Sequence, residues 1–244
     1  MLFSQLPRAV QHCATYDAQV AEWLWGQTND GPPPELAVPM RRAQALRYGE
    51  NPHQAAAFYI DQSLAEAGQG GVATAQQHHG KEMSYNNFLD ADAAYSAVCD
   101  FPEPTCVIVK HTNPCGVATR ADDLREAYRL AVRADPISAF GGIVAFNREL
   151  DEALAKEIRE FRSPTDGETR MFYEIVIAPG YTPAGLATLQ GKSKALRILE
   201  AAPRPPHGRS LRQVAAGWLY QARTRHTLAM LLCLCNCGQL QKAV

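Results

Sequence analysis

Residues 105–109 read Thr-Cys-Val-Ile-Val, an apolar run too short for a helix and without the polar alternation of a strand that has one wet face. Such a run is stable only inside a sheet covered on both sides. Three more short apolar runs follow: Ile-Val-Ala-Phe (143–146) behind Gly141-Gly142, Glu-Ile-Val-Ile-Ala (174–178) and Leu-Arg-Ile-Leu (196–199). Between them the apolar period changes from continuous to helical. Asn87 to Val98 places Leu89, Ala93, Ala97 and Tyr95 at helical spacing. Asp122 or Asp123 is positioned to cap a helix through Arg133, with Leu124, Ala127, Tyr128 and Ala131 on one face, and Asp151 to cap another through Glu160. Strands alternating with helices specify an α/β fold with a mainly parallel or mixed sheet and helices on both faces.

With 244 residues, 46% hydrophobic and 20% charged, the chain is long enough for one large domain or two small ones and is far from a disordered composition. Lys+Arg 24 against Asp+Glu 25 leaves no bulk charge for a nucleic-acid surface. No stretch reaches the roughly 18 apolar residues of a membrane span, and the first residues lack a signal peptide's regions. Seven cysteines, an odd number without paired spacing, are expected as reduced thiols in a cytosol. Residues 14–25 have the spacing of a helix buried on a broad face, and the breakers of residues 26–34 (GQTNDGPPP) read as a linker. From Arg223 onward, Leu and Cys cluster without caps or acidic residues, and the sequence assigns that tail no role.

Chemistry concentrates where the first run ends. Lys110 and His111 follow directly on it, and ligand crevices of open α/β sheets lie beyond the carboxyl ends of strands. Pro114-Cys115-Gly116 is expected to turn the chain away. An ammonium beside an imidazole favours the neutral imidazole as a base, and it is itself suited to stabilising an oxyanion or protonating a leaving amine. The plainer reading is a surface lysine and a capping histidine, and this motif alone does not choose between the two. His111 with Pro114-Cys115 shares part of a zinc deaminase signature, but the second Cys and the Glu two residues after the His are missing, so no zinc site is expected. Cys233, Cys235 and Cys237 lack the spacing of a zinc knuckle.

Three further segments combine polar groups with glycine or proline. In residues 47–54 (RYGENPHQ), Arg47 suits a phosphate or carboxylate and Tyr48 a planar ring, while His53 either meets a ligand or satisfies a loop carbonyl. Ser84, Asn86 and Asn87 stand at a helix start, as caps or as amides offered to a ligand. Ser138 to Gly142 permits close backbone approach but has neither the Walker lysine nor the GxGxxG order.

Taken together, RYGENPHQ (47–54), GKEMSYNNFLDADAA (80–94), VKHTNPCGVA (109–118), DPISAFGGIVAFNREL (135–150) and EIVIAPGY (174–181) resemble the transformylase half of the bifunctional purine-biosynthesis enzymes that join AICAR formyltransferase to IMP cyclohydrolase. The resemblance implies a cytidine-deaminase-like α/β fold without a zinc site. It implies transfer of a formyl group from 10-formyltetrahydrofolate, a cosubstrate, to the 5-amino group of AICAR, with the cyclohydrolase then closing the product to IMP. Lys110 and His111 fall on the family's catalytic pair and His53 on a further active-site histidine. Arg47 and Tyr48 fall on nucleotide contacts contributed by a neighbouring subunit, and Asn87, Gly141 and Glu174 on substrate contacts. A cytosolic homodimer with shared sites, without nucleic acid, membrane or catalytic metal, is the corresponding expectation. The implied layout is a remnant cyclohydrolase tail at 1–28, a linker at 29–36, the first deaminase-like formyltransferase subdomain at 37–221, and an atypical tail at 222–244. Most of the cyclohydrolase domain and the second transformylase subdomain have no counterpart, so cyclohydrolase activity is expected to be absent and the chain to be incomplete, with formyl transfer by it alone in doubt. A noncatalytic nucleotide-binding or dimerisation module is the alternative, and a zinc hydrolase a third reading.

Overall fold

The computed structural model describes residues 2–28, 31–61, 64–65, 68, 70–204 and 208–223. Its centre is the run singled out above. Strand β4 (Thr105–Lys110) has its first five residues fully buried, and it lies inside a six-stranded sheet of order β3-β8-β7-β6-β4-β5. The other members are β3 (Gln76–His79), β5 (Asn113–Thr119), β6 (Gly142–Phe146), β7 (Tyr173–Ala178) and β8 (Arg197–Glu200). β6, β7 and β8 are mutually parallel, whereas β4 is antiparallel to both its neighbours and β3 to β8. The sheet is thus mixed, as the alternating pattern allows.

The strand period of two distributes these residues between two cores. Cys106, Ile108, Val144, Phe146, Val176 and Ile198 pack with Ala127, Tyr128, Ala131 and Val132 of α3 (Leu124–Ala134) and with Leu154, Ala155 and Ile158 of α5 (Glu152–Glu160). Val107, Val109, Ile143, Ala145, Ile175, Ile177 and Leu199 pack on the opposite side with Ala91, Ala94, Tyr95 and Val98 of α2 (Tyr85–Cys99). Each fully buried Val or Ile contributes roughly 1.5–3 kcal/mol, so a one-residue slip of any strand would exchange its two buried faces. Tyr128 and Tyr173 pair their hydroxyls at 2.8 Å in the first core, and burial pushes both phenols up. Burial likewise raises the Cys106 thiol.

Helix starts follow the caps. Ser84, Asp123 and Asp151 each accept a backbone N–H of the first turn, which settles the choice between Asp122 and Asp123. Asp151 accepts from Leu154 N–H at 2.8 Å. Asp151→Ala is therefore expected to lower stability by about 1 kcal/mol while Asp151→Ser retains most of it, as read by urea denaturation. Equal stability of the Ala and Ser variants would refute the cap. Two further short helices, α4 (Pro136–Ala139) and α6 (Pro183–Gln190), each have Pro in the first turn.

Several elements depart from the sequence expectation. Helix α1 runs from Leu2 to Thr28, longer than residues 14–25, and it is not buried on a broad face: Val10 is 67%, Tyr16 63% and Trp23 64% exposed. Apolar spacing shows that a face is available for burial, not that anything covers it. An antiparallel hairpin of β1 (Met40–Leu46) and β2 (Ala56–Asp61) occupies a region without a strand assignment, and Phe58 stacks on Phe88 of α2 at 4.1 Å. A second hairpin pairs β9 (Gly208–Val214) with β10 (Gly217–Arg223). Arg209 of β9 forms ion pairs with Glu22 of α1 and, at 2.8 Å, with Asp61 of β2, tying the peripheral pieces together. The tail from 224 to 244, including Cys233, Cys235 and Cys237, lies outside the described residues. Among the described residues no helix is long and apolar enough to cross a membrane.

Candidate functional site

The chain reverses at His111-Thr112, not at Pro-Cys-Gly. Lys110 pairs with Asn113, leaving a two-residue hairpin loop whose residues have φ 52° and 59°. Positive φ at both positions gives a turn of the type that matches strand twist. Asn113 to Thr119 then runs back as β5, an edge strand that tolerates Pro114, with the register skipping Cys115 between Pro114 and Gly116. The tripeptide was misread because proline and glycine mark turns and edge strands alike. Left-handed conformations at a histidine and a β-branched threonine are strained by about 1–3 kcal/mol each. Hydrogen bonds hold them: Asp90 of α2 accepts His111 N–H at 3.2 Å and Thr112 N–H at 2.7 Å, and His111 O accepts Thr112 Oγ1 and Asn113 Nδ2, each at 2.7 Å.

Lys110 is half-buried and its ammonium donates to Phe140 O at 3.0 Å. Gly141 has φ 79° and donates its N–H to Phe172 O at 2.8 Å. A side chain built there would begin 4.0 Å from Lys110 Nζ and 3.9 Å from the Phe172 ring, so the glycine leaves the ammonium accessible from that side. Phe140 and Phe172, 39% and 38% exposed, stand with ring centroids 5.9 Å apart beside it. His111 is exposed.

The strand directions correct the expected polarity of this edge. Val109 pairs with Ile143, Gly142 with Tyr173 and Ile175 with Arg197. The carboxyl end of β4 is consequently flanked by the amino ends of β6, β7 and β8. That arrangement brings Glu174 to the same edge as Lys110, His111 and Gly141. Arg197, buried at the start of β8, donates to Glu174 Oε2 at 2.8 Å and twice to Glu82 O, at 3.1 and 3.0 Å, and so clamps the chain entering α2. Asn87 sits on the first turn of α2 in a capping box: its Oδ1 accepts Ser84 N–H at 3.1 Å and its N–H donates to Ser84 Oγ at 3.2 Å. Its side-chain oxygen is thus a cap, and its Nδ2 makes no hydrogen bond among the described residues.

Arg47, Tyr48 and His53 come from another part of the chain. They occupy the β1–β2 connection, with Arg47 donating to Tyr48 Oη at 2.9 Å over the face of its ring and His53 exposed. Among the described residues no hydrogen bond, ion pair or ring contact joins them to Lys110 or His111. Two residues escaped the sequence reading, Asp90 and Arg197. Asp90 falls within the block 80–94, but its partners are 21 and 22 residues away, and an acidic residue inside a helix carries no local mark of such a contact. Among the described residues no three His, Cys, Asp or Glu side chains are grouped to hold a metal ion.

Residues 4–234 match the family model described as the AICARFT/IMPCHase bienzyme. The chain belongs to that family. Among curated relatives, the bifunctional purine biosynthesis protein PurH of Rhodospirillum rubrum is 45% identical over 218 residues, covering 88% of this chain and 38% of the relative. The proteins of the same name from Bacillus mycoides and Bacillus cereus are each 47% identical over 192 residues, covering 79% of this chain and 35% of theirs. This member of the bienzyme family therefore spans little more than a third of the length of the relatives it matches.

Proposed function

We propose that this chain contributes to de novo purine synthesis as a formyltransferase segment, binding AICAR and transferring to its 5-amino group the formyl group of 10-formyltetrahydrofolate. The observation that carries the reading is the placement of Lys110 and His111 on one strand-turn junction, at the edge that also holds Gly141 and Glu174. An aromatic amine conjugated to a carboxamide is a weak nucleophile, so His111 takes a proton from the amine nitrogen as it bonds to the formyl carbon. The carbonyl oxygen becomes an oxyanion beside the Lys110 ammonium. As that oxyanion collapses, the bond to the folate nitrogen breaks and Lys110 supplies the proton, giving formylated AICAR and tetrahydrofolate. Asn87 and Glu174 act as hydrogen-bonding contacts to the nucleotide, His53 as a further active-site group and Arg47 as the phosphate partner.

In this reading each subunit of a homodimer lends the loop of Arg47 and Tyr48 to its neighbour, as the resemblance of RYGENPHQ (47–54) to the family implies. The six-stranded mixed sheet with helices on both faces supports a cytidine-deaminase-like fold for 37–221, joined by a linker at 29–36 to residues 1–28, which correspond to the tail of a cyclohydrolase domain. Closure of the formylated product to IMP belongs to that second activity of the family, and the cytosol is the compartment in keeping with this chemistry. Calorimetry with AICAR, followed by an assay for AICAR-dependent tetrahydrofolate formation, tests the reading. AICAR binding is expected, and turnover is the outcome that separates a catalytic segment from a noncatalytic one. AICAR binding without turnover would favour a noncatalytic nucleotide-binding module, and absence of both would refute the proposal.

A further inference from the structure

Most two-residue hairpin loops with two positive φ values contain glycine, or asparagine followed by glycine. Here the loop is His111-Thr112, with φ 52° and 59°, and neither residue adopts that region readily. The bonds from Thr112 Oγ1 and Asn113 Nδ2 to His111 O lie within the hairpin itself. Among the described residues, the hydrogen bonds that tie the loop to another element are the two accepted by Asp90, Oδ2 from His111 N–H at 3.2 Å and Oδ1 from Thr112 N–H at 2.7 Å. One carboxylate thus collects two consecutive amides, a geometry that needs two acceptor oxygens on one planar group. Asp90 is half-buried on α2, whose Ala91, Ala94 and Tyr95 are packed into the core, so the anchor is rigid.

We infer that Asp90 is the positioning residue of the Lys110–His111 pair: its carboxylate fixes the left-handed turn and thereby sets where the His111 imidazole stands relative to the Lys110 ammonium. The catalytic consequence rests on the formyl-transfer reading, whereas the positional claim is independent of it. Asparagine has the same shape but one acceptor, and its amide would face one of the two loop amides donor to donor.

The test uses the full chain, uniformly labelled with nitrogen-15, with Asp90→Asn as the variant and Asp90→Asn/Thr112→Gly as its rescue. In Asp90→Asn, amide hydrogen exchange of His111 and Thr112 is expected to accelerate roughly tenfold or more, while the amides of Val107 and Ile108 keep their protection and report an intact fold. AICAR is expected to cease to shift the His111 ring resonances. Where turnover is measured, kcat falls about 10- to 100-fold with KM for AICAR nearly unchanged. Glycine at 112 adopts positive φ without strain, so the double variant is expected to recover part of the kcat and of the exchange protection. Unchanged exchange at both amides in Asp90→Asn overturns the inference, as does a rescue variant no better than Asp90→Asn. A wild-type chain that forms no tetrahydrofolate while its loop amides respond as described would refute the transfer reading and support the positional one.

Discussion

Lys110→Ala is expected to slow formyl transfer by about 100- to 1,000-fold, the usual loss when a group that stabilises a developing oxyanion is removed. AICAR affinity is expected to change little, because the ammonium acts on the reacting carbonyl and the leaving nitrogen. The fold should tolerate the change. Lys110 Nζ donates to Phe140 O, and Phe140 is 39% exposed, so water replaces the lost donor. Lys110→Arg separates the two roles assigned to the ammonium. A guanidinium keeps the positive charge but does not release a proton in a protein, so a partial recovery in the Arg variant would measure the charge alone. Wild-type turnover by Lys110→Ala would remove this residue from the mechanism, and tetrahydrofolate formation under saturating AICAR is the measurement.

The second large effect is on stability. Gly116 in β5 is packed so closely against α3 that a Cβ would come within 1.9 Å of Ala131 O and 3.2 Å of Ala131 Cα. Both are backbone atoms of a helix whose Ala127, Tyr128, Ala131 and Val132 are fully buried, so neither side can yield without displacing the core. Gly116→Ala is expected to cost about 4 kcal/mol, at the upper end for a single substitution, and to lower the melting temperature by roughly 10 °C. Thermal denaturation followed by circular dichroism checks it. A loss below about 1 kcal/mol would show that β5 and α3 do not approach so closely. Because Gly116 lies in the same hairpin as His111, this variant also shows whether the strand geometry behind the turn is needed to hold it.

Local pattern revealed the buried runs and the capped helices well. Thr105 to Val109, Ile143 to Phe146, Glu174 to Ala178 and Leu196 to Leu199 fall on four neighbouring strands, the last of which begins at Arg197, and Asp123 and Asp151 opened the helices they precede. These features depend on residues within one or two turns of each other, where side-chain period and cap chemistry act directly. The peripheral hairpins were missed because their strands, such as Met40–Leu46 with five exposed residues, carry too little apolar alternation to register. The exposed face of α1 was misjudged for the converse reason, since a periodic stripe does not name its partner.

The candidate site divides along the same line. That Lys110 and His111 end a buried strand was readable from the chain alone, as was the presence of Gly141 beside a second one. That Glu174 lies at the same end of the sheet depends on β4 running antiparallel to β6, and the hold on the turn depends on Asp90 reaching amides more than twenty positions away. Amino-acid order determined which segments had to be buried, which helices had caps and where reactive groups followed a strand. Strand order, strand direction, the left-handed turn and its carboxylate anchor came from folding in three dimensions, because they are fixed by competition among distant backbone groups for the same partners, which no local stretch of residues encodes.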